Sequence, residues 1–196
     1  GLVPLAAICR DAGVDTFCVT EVSDAKQLRD AGFPQDILMI RPTCDVDEVH
    51  QLLDLSVILT VSSPDDAAVL NGIATQRKQR IRAHVEIDTG MGRYGFLPSE
   101  LDKLIHLYSY MDGLELCGIY THFHSAFCNK KATDLQMVAF RSVIRQLQEK
   151  GFDVGVCHCC NSAGLLRFPN YAMDAVRVGS AILGRLSFKG SYNLKR

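Results

Sequence analysis

The sequence predicts an α/β fold, namely a (β/α)8 barrel of the TIM type that lacks its first strand in this chain. The hydrophobic period switches repeatedly between roughly 3.6 residues and short continuous apolar runs, which is the pattern of alternating helices and strands. The short continuous apolar runs are typical of strands in a sheet that is buried on both faces. Seven of them can be placed, whereas a closed barrel needs eight strands, and the chain opens on a helical pattern with no strand before it.

The individual elements follow in chain order. The candidate strands are Thr16–Thr20, Ile37–Arg41, Ser56–Val61, Ala83–Asp88, Leu116–Phe123, Val154–Cys160 and Ala175–Gly179. The helical patterns are Leu2–Ala12, Lys26–Asp30, Val46–Leu53, Asp66–Ile73 and Glu100–Tyr110. Ser23, Asp45 and Ser63 are typical helix-starting residues just before three of these helices. An open doubly wound sheet is the structural alternative, which the lack of a Gly-x-Gly-x-x-Gly motif after the first strand disfavours.

Composition excludes several classes of protein. The chain has 196 residues, of which 47% are hydrophobic, so it can bury a core of its own. A net charge of −1 without a long basic run argues against nucleic acid as the main partner. No apolar run reaches the roughly 20 residues of a membrane span. The eight cysteines lack the spacing of a secreted disulfide framework, so we expect a reducing, cytoplasmic setting.

The segment Val85–Phe96 ends a predicted strand in glycines and an arginine. Alternation along the strand places Glu86 and Asp88 on one face. Arg93 lies in the loop that follows, where it could pair with either carboxylate and remain available to an anion or a ring oxygen. A structural salt bridge beside a glycine-rich turn is the simpler interpretation of the same residues.

Two later stretches also run from an apolar strand into reactive residue types. His122 and His124 project to the same side, so they could bind a metal or face a planar ligand. Asn161 and Ser162 follow the next strand and open a short helical segment, a position suited to phosphate.

The last predicted strand ends at a second turn of this kind. Gly179 permits close backbone approach there, and Ser180 follows it. Barrels commonly hold a phosphate at their last two strands, although ordinary helix caps would look alike. Arg177 is expected to be buried and therefore to require an acceptor, either a ring nitrogen of a ligand or a neighbouring carboxylate.

These motifs together resemble the alanine racemase family in order and spacing. The matching stretches are His84–Gly95, Gly118–Phe123, His158–Ala163 and Val176–Gly179. The resemblance implies an enzyme that uses pyridoxal 5'-phosphate, with an N-terminal (β/α)8 barrel, a C-terminal β domain, a head-to-tail homodimer and a small amino-acid substrate. It implies that residues 1–186 form the cofactor-binding barrel domain, incomplete at its N-terminus. Residues 187–196 would begin the linker to the C-terminal domain.

The resemblance also assigns roles to single residues. Ser162 with Asn161 would hold the cofactor phosphate together with the backbone of Gly179 and Ser180.

On the other side of the cofactor, Arg177 would donate to the pyridine nitrogen, with His158 supporting it, and His122 would face the ring. Arg93 would contact the phenolic oxygen and the substrate region. Because a guanidinium does not release its proton, the ring would be a weak electron sink, and racemisation would then demand two well-placed bases.

The chain departs from the family pattern in ways that matter for activity. The lysine that forms the aldimine in the family would precede Gly1, and the tyrosine base would follow Arg196 on the C-terminal domain of the partner subunit. This chain alone is therefore expected to be inactive. Glu86 replaces a lysine that many family members carbamylate, and it is expected to supply negative charge directly and to orient Arg93. The stretch from Ser180 to Arg185 differs from the commonest racemase ending, which leaves alanine, serine or another amino acid as the substrate.

Three functional hypotheses remain open at this stage. The favoured one is a cofactor-binding fragment of an amino-acid racemase. The second is a single-domain pyridoxal phosphate carrier. The third is a zinc-dependent barrel hydrolase, which would use His122, His124, His158 and Cys160 as ligands and would leave Arg177 unexplained.

Overall fold

The computed structural model describes residues 1–186, in which helices alternate with parallel strands. The strands are β1 (Thr16–Val19), β2 (Asp36–Met39), β3 (Leu59–Val61), β4 (Ile81–Glu86), β5 (Leu114–Tyr120) and β6 (Val156–His158). The helices are α1 (Leu2–Asp11), α2 (Val22–Asp30), α3 (Val46–Asp54), α4 (Pro64–Arg77), α5 (Leu101–Tyr110), α6 (Lys130–Glu149) and α7 (Ser162–Arg167), followed by a 3-10 turn at Pro169–Tyr171. The first six predicted strands and all five predicted helices are present, with shifted ends.

The chain divides into two compact units, and the first comprises residues 1–85 and 106–117. Here β1 pairs with β2 in parallel, with Thr16 opposite Asp36. The end of β2 meets the residue before β3 through a parallel bridge between Leu38 and Ile58. β3 pairs with β4 in parallel, and the residues of both strands are buried except Arg82. Buried apolar strands of this kind need helices on their faces, which the alternating order supplies.

Helix starts in the first unit show how local side-chain chemistry defines element ends. Asp45 accepts a hydrogen bond from the amide of Glu48 at 2.9 Å, and Ser63 accepts one from the amide of Asp66 at 3.1 Å. Both predicted N-caps are therefore confirmed. The prediction at Ser23 is wrong, because α2 begins at Val22 after a Glu21 cap without a side-chain hydrogen bond.

The second unit comprises residues 86–105 together with the described residues from 118 onward. Its strand ends are parallel neighbours: Tyr120 of β5 lies opposite His158 of β6, and the amide of Ile87 donates to the carbonyl of Tyr120 at 2.8 Å. The 20-residue helix α6 buries one face, which includes Thr133, Gln136, Met137, Phe140, Val143, Ile144 and Leu147. The sequence interpretation had no helix here, although this spacing is the helical one.

The seventh predicted strand, Ala175–Gly179, is not a strand. Only Ala175 forms a parallel bridge, to His158. The Asp174 carboxylate accepts the amide hydrogen of Cys157 at 2.8 Å, while the Arg177 amide donates to the Cys160 carbonyl at 2.9 Å. A side chain thus takes the place of a backbone acceptor, and the ladder is interrupted. The predicted linker, residues 187–196, lies outside the described residues.

Among residues 1–186, the helices are too short or too polar to cross a membrane.

Candidate functional site

Every residue expected at the site lies in the second unit, where β4, β5 and β6 end. Glu86 is the last residue of β4, Tyr120 the last of β5 and His158 the last of β6. The carboxyl ends of parallel strands face one edge of a sheet, where α/β enzymes place their chemistry. The loops that follow these strands supply the remaining side chains.

Arg177 joins the ends of β5 and β6. One of its terminal nitrogens donates to the Thr121 carbonyl at 2.8 Å, and the other contacts Nδ1 of His158 and the His158 carbonyl. Because a guanidinium can only donate, Nδ1 of His158 must be the acceptor, and the imidazole is neutral with its proton on Nε2. Arg177 is half-buried rather than buried as expected. Within residues 1–186 it forms no ion pair with a carboxylate, and its Nε–H has no acceptor.

Tyr120 links these groups to Glu86, and the sequence interpretation missed it. Its ring stacks on His158 with centroids 4.9 Å apart, and Cζ of Arg177 lies 4.9 Å from its centroid. Its hydroxyl donates to Oε2 of Glu86 at 3.1 Å. We call Glu86, Tyr120, His158 and Arg177 the Arg177 cluster. Period-two alternation with His122 was a signal that could have identified Tyr120.

Burial dominates the charge state of Glu86. The side chain is 2% exposed, and loss of water raises its pKa to about 7 despite the Tyr120 hydrogen bond and the nearby charges of Arg93 and Arg177. The expected role of Glu86, to supply negative charge and to orient Arg93, stays a prediction, and with this pKa only part of the charge is present at neutral pH. A carboxyl with this pKa changes protonation near neutral pH.

His122 is held neutral beside the cluster. Burial, followed by the positive charges of Arg177 and Arg93, lowers its pKa to about 4. The side-chain nitrogen of Asn161 lies 3.4 Å from Nε2 of His122 and donates to the Phe123 carbonyl at 3.0 Å. The Asn161 oxygen caps α7. Both ends of the Asn161 side chain are therefore used within the fold, by the Phe123 carbonyl and by the start of α7. Its expected role at the cofactor phosphate stays a prediction.

Ser162 meets the turn that contains Gly179 and Ser180. Its hydroxyl is buried and accepts hydrogen bonds from the amides of Gly179 at 3.1 Å and Ala181 at 3.2 Å. Two accepted bonds leave the hydroxyl proton for another acceptor. A side chain at Gly179 would meet no atom within 4 Å, and Ser180 is exposed, so the turn is open on this side.

The Arg93 loop, residues 89–96, differs from the expected arrangement. Asp88 accepts hydrogen bonds from the amides of Gly90 and Gly92, at 2.9 and 3.0 Å. Arg93 is exposed, and its guanidinium carbon lies 5.4 Å from the centroid of the Tyr94 ring. In the described part of the chain, Arg93 therefore forms no ion pair with Glu86 or Asp88. The Glu86 carboxylate accepts from the Tyr120 hydroxyl instead, and the Asp88 carboxylate from the two glycine amides.

The ligands proposed for a zinc site do not converge. His124 is exposed, whereas His158 is engaged by Arg177 and Cys160 is fully buried. Over residues 1–186, no group of three or more potential ligands could hold a metal ion. The zinc hydrolase hypothesis thus has no ligand cluster to support it.

Known proteins of similar sequence belong to one family. The family model for the alanine racemase N-terminal domain matches residues 1–187. An alanine racemase of Desulforamulus reducens is 37% identical over 187 residues, which are 94% of this chain and 50% of the relative. One from Methanococcus maripaludis is 32% identical over 94% of this chain and 50% of that protein. The chain thus spans about half the length of these relatives.

Solved structures show the same relationship. An alanine racemase from Clostridium difficile 630 in complex with cycloserine has a TM-score of 0.87 at 28% identity, covering 93% of this chain and 50% of that one. The Bacillus anthracis alanine racemase with bound L-Ala-P has a TM-score of 0.83 at 31% identity, covering 93% and 47%. The predicted fold class, an α/β barrel domain of the TIM type, is confirmed by these neighbours. With a family match over nearly its whole length, this chain belongs to the alanine racemase family and corresponds to its N-terminal domain.

Proposed function

We propose that the full-length protein containing this chain is a pyridoxal-phosphate-dependent racemase that interconverts the L and D forms of alanine or serine. Its relatives are named alanine racemases, and the family uses pyridoxal phosphate. The observation that supports the proposal most is the Arg177 cluster beside the Ser162–Gly179 turn. Residues 1–186 would form the cofactor-binding domain, and the protein would act as a homodimer. Neither the carrier nor the hydrolase hypothesis is favoured by a specific observation.

The donor set of the site fits pyridoxal phosphate. The Ser162 hydroxyl retains a donor after accepting two backbone amides, and the space at Gly179 is open to an anion. Arg177 retains its Nε–H for a ring nitrogen, while its terminal nitrogens are held by Thr121 and His158. Ser162, Gly179 and Ser180 would hold the phosphate, and Arg177 and His122 would hold the ring.

Arg177 determines which chemistry this site favours. When bound, pyridoxal phosphate withdraws electrons from the Cα–H bond of an attached amino acid. A guanidinium keeps its proton, so Arg177 would leave the ring nitrogen unprotonated and limit this electron withdrawal. His158 supports this state, because its Nδ1 accepts from Arg177 and holds the guanidinium in one orientation. Weak electron withdrawal favours racemisation over side reactions that need a long-lived carbanion.

Arg93 and Glu86 would act on the substrate side. The positive charge of Arg93 acts on both buried groups of the site: it contributes to the low pKa of His122 and opposes the rise in the pKa of Glu86. Its exposed guanidinium is available to a substrate carboxylate or to the phenolic oxygen of the cofactor. Glu86 would orient Tyr120 and, through it, the cluster.

The test uses the purified full-length protein. We expect a yellow protein with visible absorbance from bound cofactor, and conversion of L-alanine or L-serine to the D form, measured with a D-amino-acid-specific assay. Replacing Arg93 with alanine should lower turnover by about 100-fold, the typical effect of losing one electrostatic contact to the reacting centre. The same variant should spare the contacts to the cofactor phosphate, so pyridoxal phosphate should still bind. A wild-type protein that stays colourless after addition of pyridoxal phosphate and dialysis would overturn the proposal.

A further inference from the structure

A buried amide on α6 connects the ends of two strands. Gln136 is 3% exposed, and its side chain forms three hydrogen bonds at 3.1 Å each. Its oxygen accepts from the amide of His124, and its nitrogen donates to the Thr89 hydroxyl and to the His122 carbonyl. Both N–H groups and the carbonyl oxygen are therefore used, as a buried amide requires.

These bonds hold the segment after β4 against the segment after β5. Thr89 directly follows Asp88 at the base of the Arg93 loop, and its hydroxyl lies 2.7 Å from that of Thr121. The backbone of Thr121 is the acceptor for Arg177. Gly90 packs over the same place, because an added Cβ there would lie 3.7 Å from Cγ of Gln136. One side chain thus defines where the Arg93 loop begins and where His122 lies.

We propose that Gln136 is a positioning residue for the racemase site, one that sets the base of the Arg93 loop and the backbone of His122 relative to each other. This inference rests on the proposed function for its catalytic consequence. Gln136 touches neither the Ser162 turn nor Gly179 through the bonds above, so it should affect the ring and substrate side while leaving the phosphate side intact.

A purely structural role predicts a different pattern. The buried face of α6 is otherwise mainly apolar, with Met137 and Phe140 adjacent to Gln136, so leucine would satisfy packing. An amide at this position is needed only for its hydrogen bonds. Gln146 on the same helix is the matched control, since within residues 1–186 its amide donates only to the carbonyl and hydroxyl of Ser142 one turn earlier.

The experiment compares Gln136→Leu, Gln136→Glu and Gln146→Leu in the full-length protein. Gln136→Leu should lower kcat by about ten-fold, because the Arg93 loop and His122 would no longer be held in position, with affinity for pyridoxal phosphate changed by less than about three-fold. Amide hydrogen exchange in residues 89–93 and 122–124 of the cofactor-free protein should accelerate by about ten-fold or more. Gln136→Glu retains the acceptor for His124 but loses both donors. Amide hydrogen exchange in residues 89–93 should therefore accelerate as much as in Gln136→Leu.

The control and the exchange readout separate the possible failures. Gln146→Leu should leave kcat and exchange in both segments unchanged. The inference is overturned if Gln136→Leu and Gln146→Leu behave alike, or if Gln136→Leu loses cofactor affinity in parallel with kcat. A wild-type protein without cofactor or racemase activity would refute the proposed function instead. Exchange in the cofactor-free protein would still report whether Gln136 holds the two segments together.

Discussion

Two arginines of the second unit differ in how the fold treats them. Arg177 is half-buried and held by Thr121, His158 and the face of Tyr120. Arg93 is exposed, and its guanidinium contacts the neighbouring Tyr94 ring. The fold therefore holds Arg177, which we propose to lie on the cofactor side, in one orientation, and it leaves Arg93, which we propose to lie on the substrate side, exposed. Under the proposed function, the preorganised Arg177 would favour tight cofactor binding, and the exposed Arg93 would permit substrate entry.

The backbone of the Arg93 loop is nevertheless tightly specified, and Gly95→Ala should have the largest effect on stability. Gly95 has a φ of +117°, and a Cβ there would lie 2.5 Å from the amide nitrogen of Asp88 and 2.9 Å from the carbonyl carbon of Ile87. We expect a loss of more than about 3 kcal/mol in the free energy of unfolding, measured with urea.

Gly92→Ala is the matched control for that substitution. Gly92 has a φ of +70°, but an added Cβ would meet open space, so only about 1 kcal/mol should be lost. Equal losses at the two glycines would show that the base of the loop is not packed as described.

The second prediction compares the two arginines directly. Arg177→Leu removes the donor to the Thr121 carbonyl and to Nδ1 of the buried His158, and it should lower the unfolding free energy by about 2 kcal/mol. Arg93→Leu should change it by less than about 0.5 kcal/mol, because the side chain is exposed. Chemical denaturation of both variants measures the difference. Similar losses of unfolding free energy in the two variants would show that the fold does not hold Arg177 more firmly than Arg93.

The third prediction concerns pH. The folded state raises the pKa of Glu86 from 4.5 to about 7, mainly by burial. It therefore binds this proton more tightly than the unfolded chain does, and the Glu86 contribution to stability is lost as the pH rises from about 4.5 through 7. Burial and the nearby arginines lower the pKa of His122 from 6.5 to about 4. The His122 contribution is present above pH 6.5 and is lost as the pH falls towards 4.

These two slopes oppose each other in the wild type, and single substitutions should separate them. In the cofactor-free protein, Glu86→Gln should leave stability rising with pH between about 4 and 6.5. His122→Gln should leave it falling between about 4.5 and 7, each by on the order of 2 kcal/mol. Thermal or urea unfolding across this range is the measurement. Slopes of the same sign in both variants would contradict the assigned protonation states.

The smallest expected effect concerns the Ser162–Gly179 turn, where we propose that the phosphate binds. Ser162→Ala should weaken binding of pyridoxal phosphate by about ten-fold, since a buried hydroxyl donor is lost. Ser180→Ala should change it by less than about three-fold, because the side chain of Ser180 is exposed. Fluorescence titration measures both, with pyridoxal lacking the phosphate as the control ligand. If Ser162→Ala weakens pyridoxal and pyridoxal phosphate equally, the hydroxyl does not act on the phosphate.

Features defined by local chemistry could be predicted from the sequence. The Asp45 and Ser63 caps are examples, because a side-chain acceptor and the amide it meets are three residues apart. Helix α6 could also have been predicted, since its buried residues recur at helical spacing. The false seventh strand had a different cause. No pattern in Ala175–Gly179 reveals that the Asp174 side chain occupies the amide of Cys157.

The site likewise has features that the sequence predicts and features that depend on the folded chain. The proximity of Ser162 and Gly179 follows from the family motifs, and the structure places the Ser162 hydroxyl 3.1 Å from the Gly179 amide. The pKa of Glu86 could not be anticipated, because it depends on burial and on the hydroxyl of Tyr120, 34 residues away. The role of Gln136 could not be predicted for a similar reason, because its three partners belong to segments that only the folded chain brings together.

The most direct test of the account is a crystal structure of the full-length protein with pyridoxal phosphate. We expect phosphate oxygens within hydrogen-bonding distance of the Ser162 hydroxyl and of the backbone at Gly179 and Ser180, with Nε of Arg177 facing the ring nitrogen. A phosphate bound elsewhere, or an Arg177 side chain that leaves Thr121 and His158 and turns away from the ring, would contradict it.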